Sequence, residues 1–132
     1  MKKYGIMQGR LLPKYKGKYQ AHPIDDWERE FELAKDLNLY CIEFIFDYHL
    51  YANNPLLNNT KYIKEIIDKT NVKVKSVCAD FFMEAPIQYA SKNEIYIFEE
   101  ILYKLITNLN SLGGNNIVIP FVDKSSLKTY KD

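Results

Sequence analysis

The sequence predicts an α/β fold in which short parallel strands alternate with helices. Four runs rich in Ile, Val, Phe and Tyr are separated by three segments whose apolar residues recur at helical spacing. Apolar residues make up 47% of the 132 positions, which is enough for a hydrophobic core. Because strand–helix–strand units place consecutive strands parallel, the chain is expected to form an open doubly wound sheet or a (β/α)8 barrel. With no linker or internal repeat, residues 1–132 are expected to belong to one domain.

The four strands are predicted from their β-branched and aromatic residues. They cover residues 4–8, 41–47 ("CIEFIFD"), 72–80 ("VKVKSVCAD") and 116–123 ("NIVIPFVD"). Each run is short and bounded by polar or glycine-containing segments. These lengths suit the strands of a parallel sheet better than they suit helices.

The first helix is predicted to follow the segment "HPIDDWERE" at residues 22–30. Asp25 or Asp26 is expected to cap its start, and Asn38 is expected to end it in a left-handed conformation. Its apolar face is predicted to consist of Trp27, Phe31, Ala34 and Leu37. This spacing is that of one face of an α-helix.

Two more helices are predicted from periodicity and caps. The second covers residues 60–69, with Tyr62, Ile63, Ile66 and Ile67 on its apolar face. The third begins at the capping box formed by Ser91 and Glu94 and is ended by the Gly113–Gly114 pair. Its long apolar face is predicted to consist of Ile97, Phe98, Ile101, Leu102, Leu105, Ile106 and Leu109.

Each predicted strand is apolar at first and polar at its carboxyl end. The polar residues are Gln8 and Arg10 for strand one, Glu43 and Asp47 for strand two, Asp80 for strand three and Asp123 for strand four. Active sites of parallel α/β folds lie at this edge of the sheet. Because a buried carboxylate is costly unless it is paired, four such endings favour a polar pocket. The alternative is that Asp80 and Asp123 cap local turns and that Arg10 pairs with Glu43.

Composition excludes several classes of partner. The chain has 18 basic and 17 acidic residues, a balance that predicts no binding of nucleic acid or of an anionic membrane. No apolar run approaches the roughly 20 residues of a membrane helix, and the first ten residues lack the pattern of a signal peptide. The two cysteines, Cys41 and Cys78, lie in apolar runs without metal-binding spacing, so we expect buried free thiols in a cytoplasmic protein.

Sequence motifs for nucleotide binding are absent, since no glycine-rich phosphate loop follows a strand. The long loop 9–24 contains Arg10, three lysines and three Tyr or His side chains. Such a cationic loop could receive a phosphate or carboxylate at the sheet edge, or it could be an ordinary solvated loop. Asp47 and His49 could hold a metal in principle, although such a lone pair is more often not a ligand set.

Several segments together resemble the sugar phosphate isomerase/epimerase family of xylose-isomerase-like TIM barrels. They are "YGIMQGRL", "W..EF..A..L.L..IEFI.D", "NPL", "VKVKSVCADFFM..P" and "LGGNNIVIPFVD.SSL", in this order along nearly the whole chain. The resemblance implies a (β/α)8 barrel that isomerises or epimerises a sugar or sugar phosphate with a divalent metal at its C-terminal mouth. Such barrels have about 250 residues, so the chain is expected to form a partial barrel of about four strands and three helices.

The resemblance also sets limits on what this chain is expected to do. In that family the metal ligands (Glu, Asp, His and Glu) come from the last four strands, so we assign no metal ligand and no catalytic pair here. Gln8, Arg10, Glu43, Asp80 and Asp123 are expected to line the substrate side of the mouth. The segment 123–132 is expected to be the loop and first turn of a fourth helix, capped by Ser125 or Ser126.

A half-barrel would expose two sheet edges and its inner face. We therefore expect self-association or a C-terminal half-barrel partner, and no catalysis by this chain alone. Two alternatives remain. One is a non-catalytic half-barrel that binds a small polyol or phosphate, and the other is a small flavodoxin-like domain whose sheet is complete.

Overall fold

The structure, a computed structural model, describes residues 2–129 and contains a four-stranded parallel sheet. The strands are β1 (Gly5–Met7), β2 (Cys41–Ile45), β3 (Lys73–Cys78) and β4 (Asn116–Val118). Their spatial order is β1-β2-β3-β4. The predicted α/β class and the parallel sheet are thus confirmed. All four strands lie within the predicted ranges but are shorter, most of all at the carboxyl end of β4.

Five α-helices are found among the described residues. They are α1 (Trp27–Asp36), α2 (Pro55–Asn58), α3 (Thr60–Thr70), α4 (Phe81–Glu84) and α5 (Lys92–Ser111). Single 3₁₀ turns occur at Tyr51–Asn53, Ile87–Tyr89, Asp123–Ser125 and Leu127–Thr129. The three long helices are the predicted ones. The four-residue helices α2 and α4 were not predicted, because so short a segment shows no helical periodicity. Within residues 2–129, no helix has the length and apolar character to cross a membrane.

The helix boundaries follow mostly from local chemistry. The Ser91 hydroxyl accepts from the Glu94 N–H and the Glu94 carboxylate accepts from the Ser91 N–H, so the predicted capping box is confirmed. Asn38 has φ 55°, as expected for the residue that ends α1. Asp26 occupies the N-cap position of α1, as predicted, but its side chain does not make the expected capping bond. The Asp26 carboxylate instead lies 3.6 Å from Arg29.

The hydrophobic core lies on one face of the sheet, under the three long helices. Strand residues of this face include Ile42, Phe44, Val74 and Val77, all fully buried. The helices contribute Trp27, Phe31, Ala34, Ile63, Ile67, Ile101, Leu105 and Leu109. Since α1, α3 and α5 all pack in this one cluster, the opposite face of the sheet carries none of them. We call these the helix face and the open face.

Strand register decides which side chains share a face. Ile6 pairs with Ile42 on the helix face, and Met7 pairs with Glu43 on the open face. The β2–β3 ladder is irregular after Ile42, so Glu43 lies opposite Ser76. The strand order has no reversal, whereas a doubly wound sheet reverses its order at a switch point. The described sheet therefore lacks the strand order of the flavodoxin-like alternative.

The helices do not cover all the apolar side chains predicted for them. Leu37 is 60% exposed and, on α5, Ile97 and Ile106 are 49% and 52% exposed. Tyr62 on α3 is also exposed, at 38%, so these four positions in the predicted apolar faces are wrong. An apolar groove of about 480 Å³ runs beside β4, with no charged residue in its lining. Its lining is Leu102, Ile106, Leu109, Asn110, Gly114, Asn115, Ile117 and Ile119.

The segment after β4 differs from the expected start of a fourth helix. It forms two 3₁₀ turns, and Ser125 is buried with its hydroxyl hydrogen-bonded to the carbonyls of Pro120 and Val122. The last part of the predicted helical turn, residues 130–132, lies outside the described residues. Both cysteines are free, with Cys78 buried and Cys41 half-buried.

Candidate functional site

A cleft of about 740 Å³ lies at the carboxyl edge of the sheet. It is formed by the loop after β1, the segments after β2 and β4, and the segment from Asp80 to Glu84 that contains α4. The lining residues are Tyr15, Lys16, Lys18, Gln20, Ala21, Asp47, Tyr48, His49, Asp80, Met83, Glu84, Val122 and Asp123. The predicted location of a polar pocket therefore agrees with the cleft. Of the five predicted site residues, Asp80 and Asp123 line it.

Asp80 lies at the centre of this arrangement. It lies two residues after the end of β3 and occupies the N-cap position of α4, but its side chain makes no capping bond. Its two carboxylate oxygens instead accept from Gln20 Nε2, at 3.1 and 3.0 Å. Cys78 Sγ lies 3.1 Å from one of these oxygens. Burial raises the pKa of the Asp80 carboxyl; the Cys78 and Gln20 hydrogen bonds lower it, nearby Glu43 raises it and Arg10 lowers it.

Asp47 is a second carboxylate with a raised pKa in the cleft. It follows β2, and one of its oxygens accepts from the His22 backbone N–H at 3.0 Å. Burial is the main cause of the raised pKa, and the charge of Asp80 contributes. Asp47 and Asp80 therefore interact as like charges across the cleft. Buried carboxyl groups with raised pKa values are typical of sites that bind or transfer protons.

The loop 9–24 forms one wall of the cleft and is held from α1. The buried Glu30 carboxylate accepts from the N–H groups of Gly9 and Leu11, at 2.8 and 3.0 Å. Burial raises the pKa of this carboxyl, and these hydrogen bonds oppose the rise. Gly9 has φ 86°, and a Cβ there would collide with the Tyr19 carbonyl. Glycine is thus required where the loop folds back on itself.

Two of the cationic side chains of this loop, Lys16 and Lys18, line the cleft. Lys16 Nζ is 3.2 Å from His49 Nε2, so the tip of the loop contacts the segment after β2. Lys18 lies across the cleft from Glu84, whose carboxylate pairs with Lys124 at 2.8 Å. Arg10 and Lys14 lie over the Tyr19 ring. The cleft thus has acidic groups at the strand ends and lysines on the loop.

Glu43 and Arg10 lie on the open face, near the cleft but outside its lining. The Glu43 carboxylate accepts from the Ser76 hydroxyl at 2.6 Å. Arg10 is exposed, and its guanidinium lies 3.6 Å from the Met7 sulfur. The alternative Arg10–Glu43 pair is not among the salt bridges of residues 2–129. Both side chains nevertheless lie within electrostatic range of Asp80.

Gln8 was predicted to line the site, but its side chain points away from the cleft. It is fully buried, and its Oε1 accepts from the Ile45 N–H and contacts His22 Nδ1, both at 3.0 Å. The His22 ring packs 5.3 Å from the ring of Phe44 on the helix face. Burial lowers the pKa of His22 to about 3, so its imidazole is neutral at neutral pH.

The described residues do not form a metal site by themselves. No three His, Cys, Asp or Glu side chains between residues 2 and 129 are arranged to hold a metal ion. The oxygens of Asp47 and Asp80 already accept hydrogen bonds from His22 and Gln20. His49 contacts Lys16. We therefore derive no chemical step through a metal from these residues.

Two residues that shape the cleft were missed in the sequence. Glu30 falls three residues after Trp27 and four before Ala34, on the buried face of α1. A carboxylate on the buried face of a helix is expected to accept hydrogen bonds from buried donors. The helical spacing of Glu30 from Trp27 and Ala34 could therefore have identified it in the sequence. Gln20 has no such signal, because it lies in a loop and its partner is 60 residues further along the chain.

Comparison with known proteins identifies no family, since no protein-family model matches the chain and no curated protein matches its sequence. Its possible chemistry therefore has to be inferred from the cleft. The carboxylates and the Gln20 amide suit the hydroxyl groups of a small polar molecule. The lysines suit a phosphate or carboxylate.

Proposed function

We propose that this chain forms the substrate-binding half of a (β/α)8-barrel sugar or sugar phosphate isomerase or epimerase. The observation that carries the proposal is the cleft at the carboxyl edge of the sheet, which is lined by Asp47 and Asp80 together with Lys16 and Lys18. Hydroxyl groups would bind to the carboxylates, and a phosphate would bind to the lysines. The sequence motifs that resemble this family support the same assignment.

The arrangement of the sheet supports a barrel. Its strands follow one another in sequence order, and its three long helices pack on one face. A barrel is wound in this way, with helices outside and strand ends around a central mouth. The open face, with Glu43 and Ser76, would then face the barrel interior, and Asp80 and Asp123 would lie at the mouth.

A partner is part of the proposal. The β4 edge and the apolar groove beside it would pack against a C-terminal half-barrel or, in self-association, against a second copy of this chain. The groove is lined by Leu102, Ile106, Ile117 and Ile119, which leave apolar surface exposed. The divalent metal that the resemblance implies would be held by ligands of that other half.

A non-catalytic role is the second candidate. The cleft is formed entirely by residues of this chain, so binding of a small polyol or phosphate does not require the partner. In that case the half-barrel would bind its ligand without converting it.

The experiment is a turnover assay on a panel of ketoses and ketose phosphates with added divalent metal. The chain is assayed alone and with a candidate partner that supplies four more strands carrying Glu, Asp, His and Glu. The proposal predicts turnover only in the mixture. Turnover by the chain alone would contradict the assignment of the metal ligands to the partner. Ligand binding without turnover in every mixture would favour the non-catalytic role.

A further inference from the structure

The contact between Gln20 and Asp80 is unusual because one nitrogen serves two acceptors. Gln20 Nε2 lies 3.1 and 3.0 Å from the two oxygens of the same carboxylate. A carboxylate only accepts, so the amide presents its nitrogen and not its oxygen. Cys78 Sγ lies 3.1 Å from Oδ1 as well, so both oxygens share the Gln20 nitrogen and Oδ1 alone has a further side-chain partner among the described residues.

The two partners differ in how firmly they are held. Asp80 is 7% exposed and lies between β3 and α4, next to Cys78. Gln20 is exposed and lies in a loop, where its side chain can swing into solvent. The loop backbone is fixed on both sides of it, by Glu30 at Gly9 and by Asp47 at His22. Gln20 can therefore leave Asp80 without movement of the loop.

We propose that the Gln20 amide occupies the place of a ligand at Asp80, and that the ligand which displaces it carries two adjacent hydroxyl groups. This inference rests on the proposed function of the cleft and specifies its ligand. Two neighbouring hydroxyls donate one hydrogen bond to each carboxylate oxygen, so each oxygen gains its own donor. Gln20 then acts as an internal competitor of the diol for the two oxygens of Asp80.

The position of the lysines extends the description of the ligand. Lys16 and Lys18 line the same cleft as Asp80. An anionic group on the same molecule would lie toward these lysines, with the diol on Asp80. The ligand class is therefore a phosphorylated or carboxylated compound with a vicinal diol.

The test uses two phosphates that differ in the diol. Glycerol 3-phosphate has two adjacent hydroxyls, and 3-hydroxypropyl phosphate has one hydroxyl and no diol. Each is titrated into the ¹⁵N-labelled wild-type chain and the Gln20→Ala variant, and Kd is taken from the amide shifts. Gln20→Ala should bind the diol about fivefold more tightly than the wild type does, which corresponds to about 1 kcal/mol. The affinity for the other phosphate should rise by less, because its single hydroxyl can make only one of the two hydrogen bonds to the freed carboxylate.

A second variant keeps the proposal falsifiable. Asp80→Asn replaces one acceptor oxygen by an amide donor, and it should abolish the preference for the diol over the single hydroxyl. An unchanged or weaker affinity of Gln20→Ala for the diol would overturn the inference while leaving the cleft as a binding site. Equal tightening for both phosphates would also overturn it, since that would mean a more open cleft. If neither phosphate binds either protein, the proposed function fails with it.

Discussion

The two faces of the sheet differ in burial, in aromatic content and in the polar side chains that they carry. The helix face is dry and aromatic, with Phe44 fully buried between the rings of His22 and Trp27. The open face carries Glu43 hydrogen-bonded to Ser76, and it leads to the cleft at Asp80. Strands of the same sheet thus carry the hydrophobic core on one face and, on the other face, polar side chains next to the cleft that we propose binds the ligand. Substitutions should separate the two roles.

The largest effect is expected from truncation on the helix face. Phe44→Ala leaves a cavity in the aromatic cluster, so the free energy of unfolding should fall by about 3–5 kcal/mol. Ser76→Ala, on the open face, removes one hydrogen bond to Glu43 and should cost only about 1 kcal/mol. Urea unfolding of both variants measures the difference. Equal losses would show that the two faces do not divide the roles.

The next largest effect is a loss of stability on the helix face at acidic pH. His22 has its pKa lowered by burial to about 3, below the ordinary value near 6.5. The stability that the neutral His22 imidazole contributes to the fold is complete above pH 6.5. It is lost as the pH falls toward the folded-state pKa. Between pH 6.5 and 4 the wild type should lose roughly 3 kcal/mol relative to His22→Phe. A difference between the two proteins that is constant with pH would contradict the burial of a neutral imidazole.

The cleft should respond to pH in the opposite sense. Burial raises the folded-state pKa of Asp80, so ionisation of its carboxyl destabilises the fold. Below about pH 4 this cost is absent, and it grows as the pH rises through the raised pKa. Asp80→Asn should therefore gain stability relative to the wild type over this range, by about 1.4 kcal/mol for each unit of the pKa rise.

The exposed Thr107→Ala variant on α5 is the control for the Asp80 measurement. It removes no titrating group, so its difference from the wild type should be constant with pH. If Asp80→Asn behaves in the same way as Thr107→Ala, the Asp80 carboxyl is not destabilised by burial.

The long elements could be predicted from sequence because their signals are local. The capping box at Ser91 and Glu94 and the turn residue Asn38 are each specified within a few residues. Apolar periodicity located the three long helices. It overestimated the buried face of α5, because burial of Ile97 and Ile106 depends on what packs against them and not on the helix.

The faces of the site residues could not be predicted, because they depend on contacts between distant segments. The alternation of side chains along the first strand correctly predicted that Gln8 lies on the same face of the sheet as Ile6. The pairing of Ile6 with Ile42 makes this the helix face and not the face of the cleft. Gly9, with its positive φ, then breaks the alternation, so Arg10 returns to the open face near Met7. The partnership of Gln20 with Asp80 is equally long-range.

The central claim is that the carboxyl edge of the sheet, and not the apolar groove beside β4, binds a small polyhydroxylated anion. The most direct measurement is a map of the backbone amide shifts of the wild-type chain during titration with glycerol 3-phosphate. The account predicts saturable shifts around Gln20, Asp47 and Asp80, and unchanged signals around Ile106 and Ile117 in the groove. Shifts confined to the groove, or none at saturating ligand, would contradict it.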